Sequence, residues 1–173
     1  MLYVVGEPGA GKTTILREAL AGCEPDAFER PVPHRRYPGG LVYIGRERGT
    51  FSGTDALHMA IQPDVVKWLS VLDAPAVVAE GDRLGNGRFI RAARDAGWTV
   101  TLAMVTAPDE VIVARRLERG SNQNPSWLAG RRTKVDSLWE QYGDLAWRIV
   151  NVGDTKDVAA RLREHPVFAY MKG

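Results

Sequence analysis

The stretch Gly6-Glu7-Pro8-Gly9-Ala10-Gly11-Lys12-Thr13 follows the pattern Gly-x4-Gly-Lys-Thr. It comes directly after the apolar run Leu2-Tyr3-Val4-Val5, which predicts a buried strand, and directly before a helical pattern that begins at Lys12. Glycines in such a turn let backbone N–H groups point inward, and the start of a helix adds a partial positive charge. The stretch therefore predicts a loop that binds the phosphates of a nucleotide.

Two side chains of this loop are expected to act on the phosphates. Lys12 would bridge the β- and γ-phosphates, and Thr13 would give its hydroxyl to Mg²⁺. ATP and Mg²⁺ are thus the predicted cofactors. The residues predicted to bind the nucleotide are Gly6, Pro8, Gly9, Ala10, Gly11, Lys12, Thr13 and Thr14.

Short apolar runs alternate with helical patterns along the chain. The strand candidates are residues 2–5, 41–44, 76–79, 99–105 and 147–152. Helical patterns cover residues 12–21, 55–72, 86–96, 108–119, 135–142 and 156–163, and a further short helical segment is expected around Trp127. The pattern over residues 55–72 is expected to break or to start afresh near Pro63, and the proline-rich residues 23–40 are predicted to be irregular. This alternation predicts an α/β fold with parallel βαβ units in one sheet. With 173 residues and no linker, we expect one domain over residues 1–173.

Composition narrows the class of protein. The chain is 45% hydrophobic, and its longest apolar runs fall far short of the roughly 20 residues needed to cross a bilayer. Cys23 is the single cysteine, which excludes an internal disulfide. We therefore expect a cytoplasmic protein with no membrane contact. The net charge of +2 says little by itself about partners.

A charged run, Glu80-Gly81-Asp82-Arg83, follows the third predicted strand. A carboxylate there can hold the Mg²⁺ shell or take the proton of an acceptor hydroxyl, and an arginine can steady phosphate charge. The carboxyl ends of parallel strands are also where α/β proteins bind ligands. We predict that Glu80, Asp82 and Arg83 are catalytic and that Glu80, like Thr13, is a metal ligand.

Other classes of nucleotide-binding protein fit this sequence less well. A regulatory GTPase reads its base with an Asn-Lys-x-Asp segment, and neither residues 104–108 nor residues 150–154 offer one. A motor ATPase would show paired acids at the end of an apolar strand. The pattern favours a kinase for a small acceptor.

Six basic residues and a single acid, Glu118, lie between positions 115 and 134. We predict a mobile helical lid over about residues 116–134, whose arginines close on the transferring phosphoryl group and exclude water. Arg119 and Arg131 are its predicted catalytic residues, and Arg132 is predicted to contact the acceptor. The alternative is an exposed basic helix face that keeps the domain soluble.

The phosphate loop, Glu80-Gly81-Asp82-Arg83, the Arg115-x-x-x-Arg119 helix and the lid together resemble the nucleoside/nucleotide kinase group of P-loop kinases. The resemblance implies a P-loop NTPase three-layer αβα sandwich with a five-stranded parallel sheet in the order 2-3-1-4-5. It also implies that the base lies near residues 151–155, with Arg115 or Arg119 stacked on it. Asp82-Arg83 looks like the Asp-Arg pair of thymidylate kinases, and Glu80 looks like the glutamate of deoxyribonucleoside kinases.

Residues 45–55 follow the second predicted strand, a position that faces the acceptor in this architecture. Arg46, Arg48 and Phe51 are the predicted acceptor-binding residues of this stretch. Asp55 either acts as a catalytic base or caps the helix that it begins.

Residues 51–55, 80–83 and 123–134 also resemble small phage P-loop kinases, some of which phosphorylate 5-hydroxymethyluracil within DNA. The resemblance implies hydroxymethylated DNA as the acceptor. A free nucleoside or nucleoside monophosphate kinase is the first alternative, and a nucleic-acid-binding ATPase is the second. The sequence leaves open which carboxylate is the base, whether the donor is ATP or GTP, and the oligomeric state.

Overall fold

The computed structural model describes residues 1–48, 51–118, 120–121 and 123–172. Within these residues seven strands form one sheet: β1 Leu2–Val5, β2 Asp26–Phe28, β3 His34–Arg36, β4 Leu41–Ile44, β5 Ala76–Glu80, β6 Thr101–Thr106 and β7 Ala146–Val150. Their order is β2-β3-β4-β5-β1-β6-β7.

The sheet is mixed, so the predicted five-stranded parallel sheet is wrong. The neighbouring strands β4-β5-β1-β6-β7 pair in parallel, whereas β2 and β3 lie antiparallel at the edge beside β4. The order of the whole sheet therefore differs from the predicted 2-3-1-4-5. The two extra strands fall within residues 23–40, which were expected to be irregular. Each has three residues, too few for an alternating pattern to stand out among the prolines.

Six α-helices occur in the described part of the chain: α1 Lys12–Ala19, α2 Gln62–Leu69, α3 Gly87–Asp95, α4 Asp109–Glu118, α5 Pro125–Tyr142 and α6 Thr155–Arg163. Asn86, Asn124 and Asp154 cap α3, α5 and α6, since each side chain accepts a hydrogen bond from a backbone N–H of the first turn.

Two helix predictions differ in detail from the structure. Over residues 55–72 the structure has the end of a short 3-10 helix, Gly53–Ala56, and then α2, which starts afresh at Gln62 beside Pro63 as expected. The segments expected around Trp127 and over residues 135–142 belong to one continuous helix, α5. The apolar stripe from Val135 to Tyr142 marks only the part of α5 that packs on the core.

Helices cover both faces of the sheet and give the molecule three layers. Successive residues of β1 point to opposite faces, so Tyr3 and Val5 join one apolar core while Leu2 and Val4 join the other. The first core includes residues of α2, α3 and α5, and the second includes residues of α1 and α6. Among the described helices, none has the length and apolarity needed to cross a membrane.

Candidate active site

The loop between β1 and α1 turns on glycines whose backbone is left-handed. Gly9 and Gly11 have φ angles of 94° and 92°, a region that side chains with a Cβ rarely occupy. A Cβ at Gly11 would also overlap the side-chain amide nitrogen of Asn151. The Ala10 N–H donates to the Glu7 carbonyl at 3.1 Å, which closes the turn. Glycine is required at position 11 by both conformation and space.

Lys12 extends from the first turn of α1 across the loop. Its Nζ donates to the carbonyl oxygens of Gly6 at 2.8 Å and Glu7 at 3.1 Å. These contacts hold the ammonium over the loop, where a phosphate charge would meet it.

Thr13, Ser52 and Glu80 form a hydrogen-bonded cluster beside the loop. The Thr13 hydroxyl donates to Glu80 Oε1 at 3.0 Å, and Ser52 Oγ lies 3.0 Å from the same oxygen and 3.1 Å from Thr13 Oγ1. Glu80 is only 2% exposed. Burial raises the pKa of Glu80, while Lys12 and the hydroxyls of Ser52 and Thr13 oppose the rise. Hydroxyl and carboxylate oxygens are suitable ligands for Mg²⁺, which keeps further positions for water and phosphate.

Asp55 fixes the turn that follows β5. Its Oδ1 accepts hydrogen bonds from the backbone N–H groups of Asp82 and Arg83, both at 2.8 Å. Arg83 in turn donates to the Asp55 carbonyl at 3.1 Å. Asp55 lies inside the 3-10 helix and caps a neighbouring turn, so the idea that it caps its own helix is wrong.

A buried tyrosine supports this turn from below. The Tyr3 hydroxyl donates to the Gly81 carbonyl at 3.0 Å and lies 3.1 Å from Thr54 Oγ1. Burial raises the pKa of Tyr3 well above its ordinary value, which keeps the phenol protonated as a donor. The strand β1 thereby holds both the 53–56 helix and the 80–83 turn in register with the phosphate loop.

Helix α5 brings two cations to Asp82. Arg131 forms an ion pair with Asp82 Oδ2, and Lys134 Nζ lies 2.8 Å from Oδ1 and 2.7 Å from the Asp82 carbonyl oxygen. The Arg131 guanidinium also lies over the Trp127 ring, 5.1 Å from its centroid. Arg131 Nε is buried and has no hydrogen-bond partner among the described residues. Asp82 and Trp127 thus hold the guanidinium at the lining of the cleft.

On the other side of the loop, Arg115 and Asn151 hold its backbone. Arg115 donates to the carbonyl oxygens of Ala10 and Asn151, each at 3.4 Å. The buried Asn151 side chain donates to the same Ala10 carbonyl at 2.6 Å. Arg115 thus lies between the phosphate loop and residue 151, beside the predicted position of the base.

A cleft of about 810 Å³ joins these groups in one space. It is lined by most of the predicted site residues, namely Gly6, Pro8, Gly9, Gly11, Lys12, Thr13, Phe51, Asp55, Glu80, Asp82, Arg83 and Arg131. Of the remaining nucleotide-binding predictions, Ala10 is buried beneath the loop and Thr14 is exposed on α1. Arg119 lies outside the described residues.

Three predicted acceptor-binding arginines lie outside the lining of this cleft. Arg46 pairs with Glu29 at 2.9 Å and, with Arg48, lines a separate cavity beside β2 and β3. Arg132 contacts Glu7 at 3.1 Å and Asp109 at 2.6 Å, on the outer side of the phosphate loop. Arg46 and Arg48 follow β4 whereas Arg132 lies on α5, so the three side chains lie in different places, and their contact with the acceptor stays a prediction.

Several residues of the site were not among the predicted catalytic and binding residues. Ser52, Lys134, Arg116 and Trp127 line the cleft, and Asn151 supports the loop from outside it. Ser52 lies between Phe51 and Asp55 in a stretch already expected to face the acceptor, and Lys134 ends the basic run of the lid. Their position within these two stretches was the only sequence signal for them. Which residue of each stretch faces the cleft is decided by the fold.

Comparison with known proteins identifies the family of this chain. A family model described as P-loop Nucleotide Kinase3 matches residues 1–165. The chain belongs to this family. As a P-loop nucleotide kinase it is an ATP-dependent phosphotransferase, which confirms the kinase prediction.

One curated relative is similar over nearly its whole length. The ribose 1,5-bisphosphate phosphokinase PhnN of Methylobacterium radiotolerans is 29% identical over 182 residues, which cover 95% of this chain and 96% of that protein.

Two solved structures share the α/β kinase fold. A sugar kinase from Janibacter sp. HTCC2649, in its unliganded form, matches with a TM-score of 0.54 and 13% identity over 94% of this chain and 91% of that one. Shikimate kinase from Acinetobacter baumannii in complex with shikimate matches with a TM-score of 0.50 and 18% identity over 99% and 94%.

Proposed function

We propose that this kinase transfers the γ-phosphate of ATP to a hydroxyl on a nucleobase or nucleotide, and most specifically to 5-hydroxymethyluracil within DNA. The observation that carries the proposal is the set of side chains that line the 810 Å³ cleft. The phosphate loop, three carboxylates and the exposed rings of Phe51 and Trp127 all line it. A kinase for a base-bearing acceptor needs all three kinds of group together.

The donor side of the reaction rests on the phosphate loop. Backbone N–H groups of the loop would hold the β-phosphate, and Lys12 would shift from the Gly6 and Glu7 carbonyls to the bridging oxygen as negative charge develops. Thr13 and Glu80 would hold Mg²⁺, which neutralises charge on the β- and γ-phosphates when it is bound. Arg131 lines the cleft beside Asp82 and would contact the transferring phosphoryl group.

Asp82 is the carboxylate best placed to take the proton of the acceptor hydroxyl. Glu80 is buried and bonded to Thr13 and Ser52, and Asp55 uses Oδ1 to hold two backbone N–H groups. Asp82 lies just after β5 and its side chain is 37% exposed. Its partners Arg131 and Lys134 are the cations that an incoming phosphate would attract. Phosphate binding would thus release the Asp82 oxygens toward the acceptor.

The acceptor side of the cleft suits a planar base. Phe51 is 61% exposed and Trp127 is 41% exposed, although aromatic rings of this size are usually buried more fully. Base stacking on an aromatic side chain contributes about 1–3 kcal/mol per base. Two open rings near the cations therefore favour a nucleobase, with the reacting hydroxyl on the base or its sugar.

A phosphorylated ribose is the second candidate acceptor. The identity to ribose 1,5-bisphosphate phosphokinase over nearly the full length favours it. Arg83, Arg116, Arg131 and Lys134 line the cleft and would suit an acceptor that carries phosphate. This candidate gives no role to the exposed rings of Phe51 and Trp127.

One labelling experiment separates these acceptors. The protein is incubated with γ-labelled ATP and, separately, with DNA containing 5-hydroxymethyluracil, plain DNA, a panel of nucleosides and nucleoside monophosphates, and ribose 1,5-bisphosphate. Label in the modified DNA but not in plain DNA supports the proposal, and label confined to ribose 1,5-bisphosphate overturns it. Label in the free nucleotides alone supports an acceptor that carries a base and excludes DNA as that acceptor. Phosphate release stimulated by plain DNA, with no acceptor labelled, identifies an ATPase.

The Lys12→Ala variant is the control for the nucleotide site. It should lose every activity in the panel, because the cation over the loop is removed. Lys67→Ala removes an exposed lysine of α2 and should leave the activities unchanged.

A further inference from the structure

We infer that a second site, beside β2, β3 and β4, binds the nucleotide next to the reacting one, so that the acceptor is a polynucleotide strand. The inference rests on the proposed function and narrows its substrate class. It is carried by a cavity of about 560 Å³ that contains arginine and aromatic side chains but none of the catalytic groups.

The cavity has an excess of positive charge. Arg35, Arg46 and Arg48 line it together with Glu29 and Glu47. Arg46 is neutralised by Glu29 at 2.9 Å, and Glu47 by Arg17 at 3.1 Å. Within the described residues neither Arg35 nor Arg48 forms an ion pair. Two guanidinium groups therefore remain for an anion, and a phosphodiester is the anion that a strand supplies at regular intervals.

An aromatic platform lies beside these arginines. Phe28 is 43% exposed and stacks on His34, with ring centroids 4.9 Å apart and an interplanar angle of 12°. His34 rests in turn on Trp68, at 4.6 Å between centroids, and its Nδ1 donates to the Val32 carbonyl at 2.8 Å. One face of Phe28 is thus supported from within the protein, and the exposed part can stack on a base.

A groove links this cavity to the cleft. A smaller cavity of about 330 Å³ shares Arg35 and Glu47 with the basic cavity. It shares Thr13, Ser52 and Glu80 with the cleft. A strand whose reacting base occupies the cleft could therefore place its neighbour on Phe28 and the intervening phosphate on Arg35 and Arg48. A free nucleotide has no neighbouring nucleotide to occupy the second site.

Equilibrium binding tests the groove without requiring phosphoryl transfer. The probe is a fluorescently labelled single-stranded oligonucleotide of about nine thymidines, a length within the range of known single-strand sites. Arg35→Ala/Arg48→Ala should weaken its binding about ten-fold and reduce the slope of log Kd against log salt by about 1–2. Phe28→Ala should weaken binding with the salt slope unchanged. Arg94→Ala/Arg161→Ala removes the same charge from exposed positions of α3 and α6 and should leave binding unchanged.

Folding is checked in each variant by its thermal unfolding midpoint and by ATP binding, which should match the wild type. Phe28→Leu keeps an apolar side chain and serves if Phe28→Ala does not fold. Binding of the oligonucleotide that is no tighter than that of a mononucleotide overturns the inference, as does equal weakening by the Arg94/Arg161 control.

Kinetics separate this inference from the proposed function. With 5-hydroxymethyluracil as acceptor, Arg35→Ala/Arg48→Ala should raise KM about ten-fold for the oligonucleotide and leave KM for the mononucleotide within about two-fold. An equal rise in KM for the oligonucleotide and the mononucleotide would overturn the inference. If oligonucleotide binding depends on Arg35 and Arg48 but no base-bearing acceptor is labelled by ATP, the second site is supported and the proposed reaction is overturned.

Discussion

The Thr13 hydroxyl donates a hydrogen bond to Glu80 Oε1 across 3.0 Å and so joins the first turn of α1 to the end of β5. The contact links the phosphate loop to the carboxylate strand through two oxygens that both suit Mg²⁺. Ser52 adds a second hydroxyl, from the acceptor-facing segment. Three separate parts of the chain therefore meet at the proposed metal position.

Glu80→Gln should raise the Mg²⁺ concentration for half-maximal activity by roughly ten- to hundred-fold. The amide keeps the shape of the side chain and can still accept from Thr13 and Ser52, but it lacks the charge that a cation requires. Activity titrated with Mg²⁺ at saturating ATP measures the effect. Glu140→Gln changes an exposed carboxylate on α5 and should leave the titration unchanged. An unaltered Mg²⁺ titration in Glu80→Gln would remove Glu80 from the metal site.

The same substitution should stabilise the metal-free protein in a pH-dependent way. Burial raises the pKa of Glu80 above its ordinary value of 4.5, so the folded state holds this proton more tightly than the unfolded state. The resulting stability is present below the ordinary pKa and is lost as the pH rises through the raised one. Glutamine stays neutral throughout. The unfolding midpoint of Glu80→Gln should therefore exceed that of the wild type increasingly from pH 4.5 upward, and parallel curves would contradict the burial argument.

Asp82→Asn and Asp55→Asn should separate chemistry from structure. Asp82 makes partly exposed ion pairs, which contribute about 0–1 kcal/mol, so Asp82→Asn should keep the fold and lose about 10²-fold or more in kcat. Asp55 Oδ1 accepts from two backbone N–H groups, and Asp55→Asn keeps that acceptor but loses the charge that strengthens both bonds, so it should cost about 1 kcal/mol of folding free energy. Denaturant unfolding and steady-state kinetics measure the two quantities. A catalytic loss confined to Asp55→Asn would move the base to Asp55.

Arg131→Ala should reduce turnover far more than ATP affinity. The guanidinium forms an ion pair with Asp82 and lies over the Trp127 ring. From this position it would act on the transferring phosphoryl group. We expect kcat to fall about 10²-fold and the Kd for ATP to change by less than about three-fold. Arg131→Lys should recover little, because a lysine lacks the planar fork that spans two oxygens. The exposed Arg94→Ala is the control, and a parallel loss of ATP binding in Arg131→Ala would contradict the assignment.

Local pattern predicted the donor half of the site because that half is contiguous. Gly6 to Thr13 contains the loop, its lysine and its hydroxyl in eight residues, and the strand and helix beside it are marked by simple periodicity. Glu80 and Asp82 followed from their place at a strand end. The chemistry of this half can therefore be predicted from one short segment of the sequence.

The acceptor half depends on long-range placement, which the sequence pattern does not show. Arg46 and Arg48 were expected to face the acceptor with Phe51, but the β2–β3 hairpin forms a separate cavity around them. The hairpin itself was missed because its strands have three residues each. Ser52 reaches Glu80 across 28 positions of sequence, a contact that only the packed fold specifies.

Gly11→Ala and Gly22→Ala form a matched pair that tests the tightness of the phosphate loop. Both glycines have positive φ, 92° and 90°, so an alanine at either position carries a similar backbone strain of about 1 kcal/mol. The surroundings differ, because a Cβ at Gly22 meets nothing within 4 Å while a Cβ at Gly11 overlaps Asn151 Nδ2. Asn151 holds the Ala10 carbonyl, so the overlap must displace the loop or its support. Gly22→Ala should bind ATP like the wild type, whereas Gly11→Ala should weaken binding by at least about 10²-fold, measured by calorimetry. Equal ATP affinity in the two variants would show that Asn151 yields without moving the loop.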